Sequence, residues 1–208
     1  MSLPPATAPF IVAIGGTLRD QSSTERALRH VLVRAEALGA RTQLFAGQAL
    51  DLPLYAPERR ERTPEAIALL AALRRADGVI LASPGYHGGV SGLVKNVLDY
   101  AEDLRTDPRS YLEDRSVGCI GTGGGWQGAT AALSALRCIV HALRGWNTPL
   151  GVTINTAEPA FGPDGACLDP RTAEQLDLLA AQVVDFARRA MASRPAVREP
   201  APLRVAIG

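Results

Sequence analysis

The sequence has few cysteines, few aromatic residues and no excess of charge of either sign. Its three cysteines, Cys119, Cys138 and Cys167, are too few and too scattered for a zinc cluster or a disulfide framework, so we expect no metal site and a cytoplasmic location. The formal net charge is +1 without a basic stripe or polybasic segment, so we expect neither nucleic acid nor a membrane surface as a partner. Aromatic residues make up only 5% of the chain, which favours packing of small and aliphatic side chains.

Long apolar runs are also missing from the sequence. None approaches the roughly 20 residues that a membrane-spanning helix needs. The first residues carry no charged segment followed by an apolar core, so we expect no signal peptide. The 208 residues are enough for one domain with a sizeable core. We therefore expect a flexible N-terminal arm over residues 1–9, one domain over residues 10–191, and a mobile, proline-rich tail over residues 192–208.

Short apolar runs alternate with segments whose apolar residues recur at helical spacing. The runs predict five buried strands, over residues 10–14, 40–45, 78–82, 116–121 and 147–154. Pro149 predicts an irregular spot in the fifth strand or marks its start, because proline has no N–H group to donate. A predicted helix follows each strand. This alternation indicates an α/β domain built on a doubly wound, five-stranded parallel sheet.

Three of the loops that follow predicted strands carry unusual chemistry. The first, residues 15–24, offers hydroxyl groups, one arginine and the free N–H groups of a helix start, which are the parts of a phosphate cradle. The second, residues 83–92, contains Tyr86 and four glycines, and the third, residues 121–128, is glycine-rich and contains Trp126. Ligands of doubly wound sheets bind beyond the carboxyl ends of the strands. The loops together therefore predict one site for a flat, polar-edged ring that carries a phosphate.

Each loop taken alone has a simpler explanation. The first is also compatible with an ordinary serine or threonine helix cap beside an exposed arginine. For the second and third loops, the simpler explanation is that Tyr86 packs on its neighbours and that the glycines only form turns. The first loop lacks both the Gly-Lys-Ser/Thr ending of a Walker A loop and the Gly-x-Gly-x-x-Gly pattern, which argues against a nucleoside triphosphate or Rossmann dinucleotide site.

Two of these loops resemble motifs of a known family. Residues 16–24 (GTLRDQSST) are similar to Gly-Ser-x-Arg-x-x-Ser-x-Asn/Thr, with threonine in place of the first serine. Residues 84–96 (PGYHGGVSGLVKN) are similar to Pro-Glu-Tyr-Asn followed by Pro-Gly and Leu-Lys-Asn. Both motifs belong to the NADPH-dependent FMN reductase family, a branch of the flavodoxin-like fold. The chain resembles this family over about residues 10–190, including the segments 51–55 and 121–128.

The chain also departs from the family pattern in the second motif. Gly85 stands where many members have glutamate, His87 where they have asparagine, and Ser91 where they have proline. These differences bear on the contacts to the flavin ring and on the substrate.

The resemblance implies a flavodoxin-like fold with FMN held at three places. The residues implied to hold its phosphate are Thr17, Arg19, Ser22, Ser23 and Thr24. The residues implied to lie along the isoalloxazine ring are Pro84, Gly85, Tyr86 and His87. The residues implied to flank the pyrimidine side of the ring are Gly123, Gly124 and Trp126. No side chain is expected to act as a catalytic acid or base, since N5 of the flavin carries the hydride.

The activity implied by the resemblance is hydride transfer from NADPH or NADH to the flavin. The reduced flavin then serves a partner monooxygenase or another acceptor, and the family further implies a homodimer or homotetramer. An FMN-containing reductase of quinones, azo dyes or chromate is an alternative with the same fold. A flavodoxin-like electron carrier is a second alternative. The near-neutral net charge disfavours it, because such carriers are usually strongly acidic. An α/β binding protein without flavin is the last.

Overall fold

The apolar runs form the strands of one sheet in the computed structural model, which describes residues 8–194. The strands are β1 (Phe10–Gly15), β2 (Arg41–Phe45), β3 (Gly78–Tyr86), β4 (Gly89–Val90), β5 (Ser116–Gly123), β6 (Trp146–Asn147) and β7 (Val152–Asn155). The helices are α1 (Ser23–Ala37), α2 (Pro64–Arg75), α3 (Gly92–Asp99), α4 (Trp126–Ala142) and α5 (Pro170–Ser193). Two short 3-10 helices cover Gly47–Leu50 and Tyr100–Leu104.

The strands follow the order β2-β1-β3-β5, and both β6 and β7 pair with the free side of β5. These pairs are all parallel, whereas β4 is antiparallel to β3. The chain moves outward from β1 to β2 and then returns to the other side of β1 to form β3. Such a reversal is the switch point at which doubly wound sheets bind their ligands. The predicted α/β fold with a doubly wound parallel sheet is confirmed.

Within residues 8–194, the sheet contains seven strands rather than the predicted five. The predicted fifth strand is divided into β6 and β7 at residues 148–151, where Pro149 has no N–H group to donate. There Thr148 N still donates to the carbonyl oxygen of Val117 in β5 at 3.0 Å, and the Thr148 hydroxyl donates to the carbonyl oxygen of Leu150 at 2.7 Å. The remaining extra strand is β4, a two-residue segment that pairs with the end of β3 in a hairpin.

Two predicted loops are shorter than expected because the neighbouring elements extend into them. β3 continues past the predicted end at Ala82 to Tyr86, since its last residues pair with β5 and β4. Pro84, Gly85 and Tyr86 are therefore strand residues rather than loop residues. α4 begins at Trp126, three residues before the predicted start of that helix.

Apolar clusters cover both faces of the sheet. Ile11 and Ala13 of β1 pack with residues of α1 and α5, whereas Val12 and Ile14 pack with residues of α2, α3 and α4. All four side chains are fully buried, which explains the continuous apolar run of β1. Within residues 8–194, no helix is long and apolar enough to cross a membrane.

The predicted arm and tail lie mostly outside the described residues. Of the arm, residues 8 and 9 are described, and the carbonyl oxygen of Pro9 accepts a hydrogen bond from Arg41 N at 2.9 Å. Of the tail, residues 192–194 are described. α5 continues to Ser193, two residues beyond the predicted end of the domain.

Candidate functional site

The carboxyl ends of four strands lie side by side at one edge of the sheet. Gly15 of β1 pairs with Ala82 of β3, and Gly123 at the end of β5 pairs with Asn155 at the end of β7. The end of β3 also pairs with β5. The three loops identified in the sequence therefore emerge next to one another, around the switch point between β1 and β3.

The first loop ends at a capped helix start. Ser22 is the N-cap of α1, and its hydroxyl accepts a hydrogen bond from Glu25 N at 3.3 Å. The Thr17 hydroxyl accepts one from Arg19 N at 3.2 Å, and the Arg19 side chain is exposed. The first two N–H groups of α1, beginning with that of Ser23, have no acceptor within the helix, and the helix dipole adds partial positive charge there. This set of donors can bind a phosphate.

Thr24, like Ser22, is a buried residue of the predicted phosphate cradle, but its hydroxyl contacts a residue outside the first loop. Its side chain is buried, and its hydroxyl oxygen lies 2.7 Å from that of Thr122 at the end of β5. The Thr24 side chain therefore connects the start of α1 to the sheet. Its backbone N–H, in contrast, is one of the donors in the first turn of α1 that have no acceptor within the helix.

The second loop is a tight hairpin between β3 and β4. Tyr86 pairs with Gly89, and the two residues between them, His87 and Gly88, have φ angles of +48° and +90°. Positive φ at both central positions defines a type I′ turn, which favours asparagine followed by glycine. The position where the family motif has asparagine is thus a left-handed backbone position, which His87 occupies here. The hairpin presents Tyr86 with 53% of its surface exposed.

The first turn of α4 packs directly on the backbone of β3 and β5. A Cβ atom on Gly85 would lie 2.1 Å from the carbonyl oxygen of Gly128, and one on Gly121 would lie 2.1 Å from that of Ala129. Real Cβ atoms never approach an oxygen so closely. Glycine at these positions is therefore what allows α4 to start beside the hairpin.

The N-terminus of α4 is open at the same edge. Among the described residues, no side chain caps the helix at Gly125, so its first N–H groups remain available. Trp126 is 60% exposed, and a Cβ atom on Gly124 would meet nothing within 4 Å. Together with Tyr86, this edge offers aromatic surface and backbone donors to a flat ligand with polar edges.

Asn96 was not among the predicted site residues, although its motif was noted. Its amide nitrogen donates to the carbonyl oxygens of Leu52 and Pro53, both at 3.1 Å, and its amide oxygen accepts from Tyr55 N at 2.8 Å. The side chain is almost fully buried. Two segments that match the family in the sequence thus bind each other, and Asn96 fixes residues 51–55 beside α3, directly after the hairpin.

An ion pair holds the same segment from its other side. Arg62 Nε lies 2.6 Å from Asp103 Oδ2, and the Tyr55 hydroxyl donates to Asp103 Oδ1 at 3.1 Å. The hydrogen bond from Arg62 lowers the pKa of Asp103 below its ordinary value. Burial is the main cause that raises the pKa of Tyr55 above its ordinary value, and the hydrogen bond to Asp103 raises it further.

A cavity of about 450 Å³ adjoins the first loop on its outer side and is lined by residues that include Asp20, Gln21 and Arg26. The hairpin (residues 86–89) and the start of α4 (residues 124–126) form an open surface, here called the ledge, on which Tyr86 and Trp126 are exposed. Within residues 8–194, no group of three or more histidine, cysteine, aspartate or glutamate side chains is placed to hold a metal ion.

A comparison with family models decides the family. The model of NADPH-dependent FMN reductases matches residues 9–158, which contain all three loops and the Asn96 contacts. The chain belongs to the NADPH-dependent FMN reductase family. This confirms the resemblance seen in the sequence motifs.

The curated relatives of this chain include two azoreductases. The NADPH azoreductase of Bacillus sp. (strain OY1-2) is 32% identical over 127 residues, which are 61% of this chain and 65% of that protein. The FMN-dependent NADPH-azoreductase of Staphylococcus aureus (strain USA300) is 38% identical over 91 residues, 44% of this chain and 45% of that protein. The matched region thus spans less than two thirds of either relative.

Among solved structures, the FerB flavoenzyme NAD(P)H:(acceptor) oxidoreductase from Paracoccus denitrificans is similar in fold. It superposes with a TM-score of 0.68 at 21% sequence identity, covering 88% of this chain and 99% of that chain. The likeness confirms the fold and extends beyond the region that the family model matches.

Proposed function

We propose that this protein is an NAD(P)H-dependent FMN reductase, and that residues 10–191 form its flavodoxin-like, FMN-binding reductase domain. The observation that carries the proposal is the meeting of three loops at the β1/β3 switch point, one with phosphate-binding groups and two bordered by exposed aromatic rings. Family membership supports it independently.

The phosphate end of FMN fits the first loop. The exposed guanidinium of Arg19 supplies the positive charge, and the hydroxyls of Thr17 and Ser22 lie on the same loop. The backbone N–H groups of Ser23 and Thr24 add the donors of the first turn of α1. The Thr24 hydroxyl contributes through its contact with Thr122, which holds that turn in place.

The ring end of FMN fits the ledge formed by the hairpin and the third loop. The residues that we propose on the hairpin side are Pro84, Gly85, Tyr86 and His87. The residues that we propose on the other side are Gly123, Gly124 and Trp126. The empty space around Gly124 supports close approach of a flat ring to the backbone.

When bound, FMN supplies the hydride acceptor, so the chain needs no acid or base of its own. The residues of the chain bind and orient the ring. The uncapped N-terminus of α4 places partial positive charge beside the ledge, which favours negative charge on the ring. Tyr86 and Trp126 on the ledge are exposed, which supports access of a nicotinamide to the bound ring.

A second candidate function is reduction of an azo dye, quinone or chromate with tightly held FMN. The names of the two azoreductase relatives favour it. In the first proposal, the reduced flavin serves a partner monooxygenase or another acceptor. For both, we propose a homodimer or homotetramer. We also propose a cytoplasmic location, which the three free thiols within residues 8–194 support.

An anaerobic titration tests both functions. The protein is saturated with FMN, and NADPH or NADH is then added while the flavin absorbance is followed. Bleaching by either nucleotide supports a reductase, and the two rates give the preferred donor. FMN that survives dialysis favours the azo, quinone or chromate reductase, whereas FMN that exchanges favours a flavin reductase. FMN that binds but never bleaches contradicts both and favours an electron carrier.

Paired variants test the phosphate end. Arg19→Gln is expected to raise the Kd of FMN about 10-fold, as for loss of one charged contact, and to leave that of riboflavin unchanged. Arg60→Gln removes the charge of an exposed loop arginine elsewhere and serves as the control. Equal effects of both variants on FMN would contradict the assignment of Arg19.

A further inference from the structure

The loop between β1 and α1 contains a residue in an unfavourable backbone conformation. Gln21 has φ of +54°, in the left-handed region that residues with a Cβ atom rarely adopt. Gln21 directly precedes the N-cap Ser22 and follows the turn made by Thr17 and Arg19. The conformation of Gln21 therefore sets the orientation of the Thr17–Arg19 turn relative to the first turn of α1.

The Glu25 carboxylate holds Gln21 in this conformation. Glu25 Oε2 accepts a hydrogen bond from Gln21 N at 3.1 Å, while Oε1 accepts one from Arg29 Nε at 2.8 Å. The Glu25 side chain is only 8% exposed, and its own backbone N–H donates to the hydroxyl of Ser22. A buried carboxylate with these partners has little freedom to move, so it is a rigid support for the loop.

Arg26 holds the side chain of the same residue. Its Nη2 atom donates to Gln21 Oε1 at 3.1 Å, and its Nη1 atom donates to the carbonyl oxygen of Gly162 at 2.7 Å. Gln21 is thus held at its backbone by Glu25 and at its side chain by Arg26, which is itself bound to the loop that follows β7.

We infer that Glu25 is a positioning residue that keeps the first loop in the conformation that binds a phosphate, and so makes the site select FMN over unphosphorylated riboflavin. This inference rests on the proposed FMN function. Glu25 does not itself touch the flavin in this account, because a carboxylate would repel the phosphate and its charge is already taken up by Arg29.

The test compares the Kd of FMN and of riboflavin, measured by quenching of flavin fluorescence. Glu25→Ala is expected to raise the Kd of FMN at least about 10-fold, as for loss of a hydrogen bond to a charged group, and that of riboflavin less than about twofold. Glu25→Gln keeps an acceptor oxygen and is expected to fall between wild type and Glu25→Ala. Glu65→Ala removes a first-turn glutamate of α2 and is the matched control.

A rescue experiment separates loop conformation from charge. Glycine adopts positive φ without strain, so adding Gln21→Gly to Glu25→Ala is expected to recover at least about threefold in FMN affinity. A purely structural role of Glu25 would lower stability without changing the ratio of the two Kd values, and that result would overturn the inference. Tighter FMN binding by Glu25→Gln would also overturn it, because the carboxylate would then act mainly by repulsion. Wild-type protein that binds no FMN would contradict the proposed function instead.

Discussion

The close approach of the hairpin to α4 leads to a sharp prediction about Gly85. Replacing Gly85 with alanine puts a methyl group 2.1 Å from the carbonyl oxygen of Gly128. Neither side can move alone, since β3 is paired with β5 and the first turn of α4 also packs on Gly121. We expect the start of α4 to be displaced from the ledge.

The magnitude follows from the cost of overpacking a rigid contact. Insertion of one methyl group into a well-packed interior costs about 1–3 kcal/mol, and a backbone carbonyl in its path favours the upper end, so we expect ~3 kcal/mol. Two neighbouring glycines are the controls. Gly88→Ala meets no atom within 4 Å but has φ of +90°, so it is expected to cost ~1 kcal/mol. Gly89→Ala meets neither problem and is expected to change stability by less than ~0.5 kcal/mol.

Urea unfolding of the four proteins, followed by circular dichroism, measures these differences. The expected order of stability is wild type and Gly89→Ala together, then Gly88→Ala, then Gly85→Ala. The FMN affinity of Gly85→Ala is expected to fall as well, because the N–H groups of α4 move. A Gly85→Ala protein as stable as Gly89→Ala would refute the contact between β3 and α4.

Four other outcomes are expected. Asn96→Ala removes three hydrogen bonds and leaves Leu52 O and Tyr55 N without partners, so it should cost ~2–4 kcal/mol in urea unfolding, although Pro53 O still accepts from the Tyr100 hydroxyl at 2.8 Å. Exposed Lys95→Ala should cost less than ~0.5 kcal/mol. Since the folded-state pKa of Asp103 is lowered from 3.8, its stabilising contribution is present above that value and is lost as the pH falls through the folded pKa. Asp103→Asn should therefore flatten the loss of stability below pH ~4, and an unchanged acid profile would argue against the ion pair. His87→Asn should raise the free energy of unfolding by up to ~0.5 kcal/mol, because asparagine suits the left-handed position, and a loss instead would contradict the turn type. Burial raises the pKa of Cys119 to about 12, so a thiol reagent at pH ~8 should label it only after unfolding.

Much of the fold was predictable because its signals are local. The apolar run of β1 marks a strand buried on both faces, and Ser22 three residues before Glu25 marks the start of α1. The position of the three loops then follows from the parallel topology, since strand ends in such a sheet share one edge. The interruption at Pro149 was also visible in the sequence.

Contacts between distant segments were not predictable. β4 has only two residues and no periodicity, so nothing in its own sequence marks it as a strand. α4 starts at Trp126 because its first turn packs on Gly85 and Gly121, although a glycine at position 128 argues locally against a helix. The Asn96 contacts join segments 41 to 44 residues apart, so the motif was visible but its partners were not.

A crystal structure of the protein with FMN tests the central claim most directly. The account predicts the phosphate at Arg19, Ser22 and the first turn of α1, and the ring on the ledge between the hairpin and Trp126. FMN bound elsewhere, or a phosphate that makes no contact with the first loop, would contradict it.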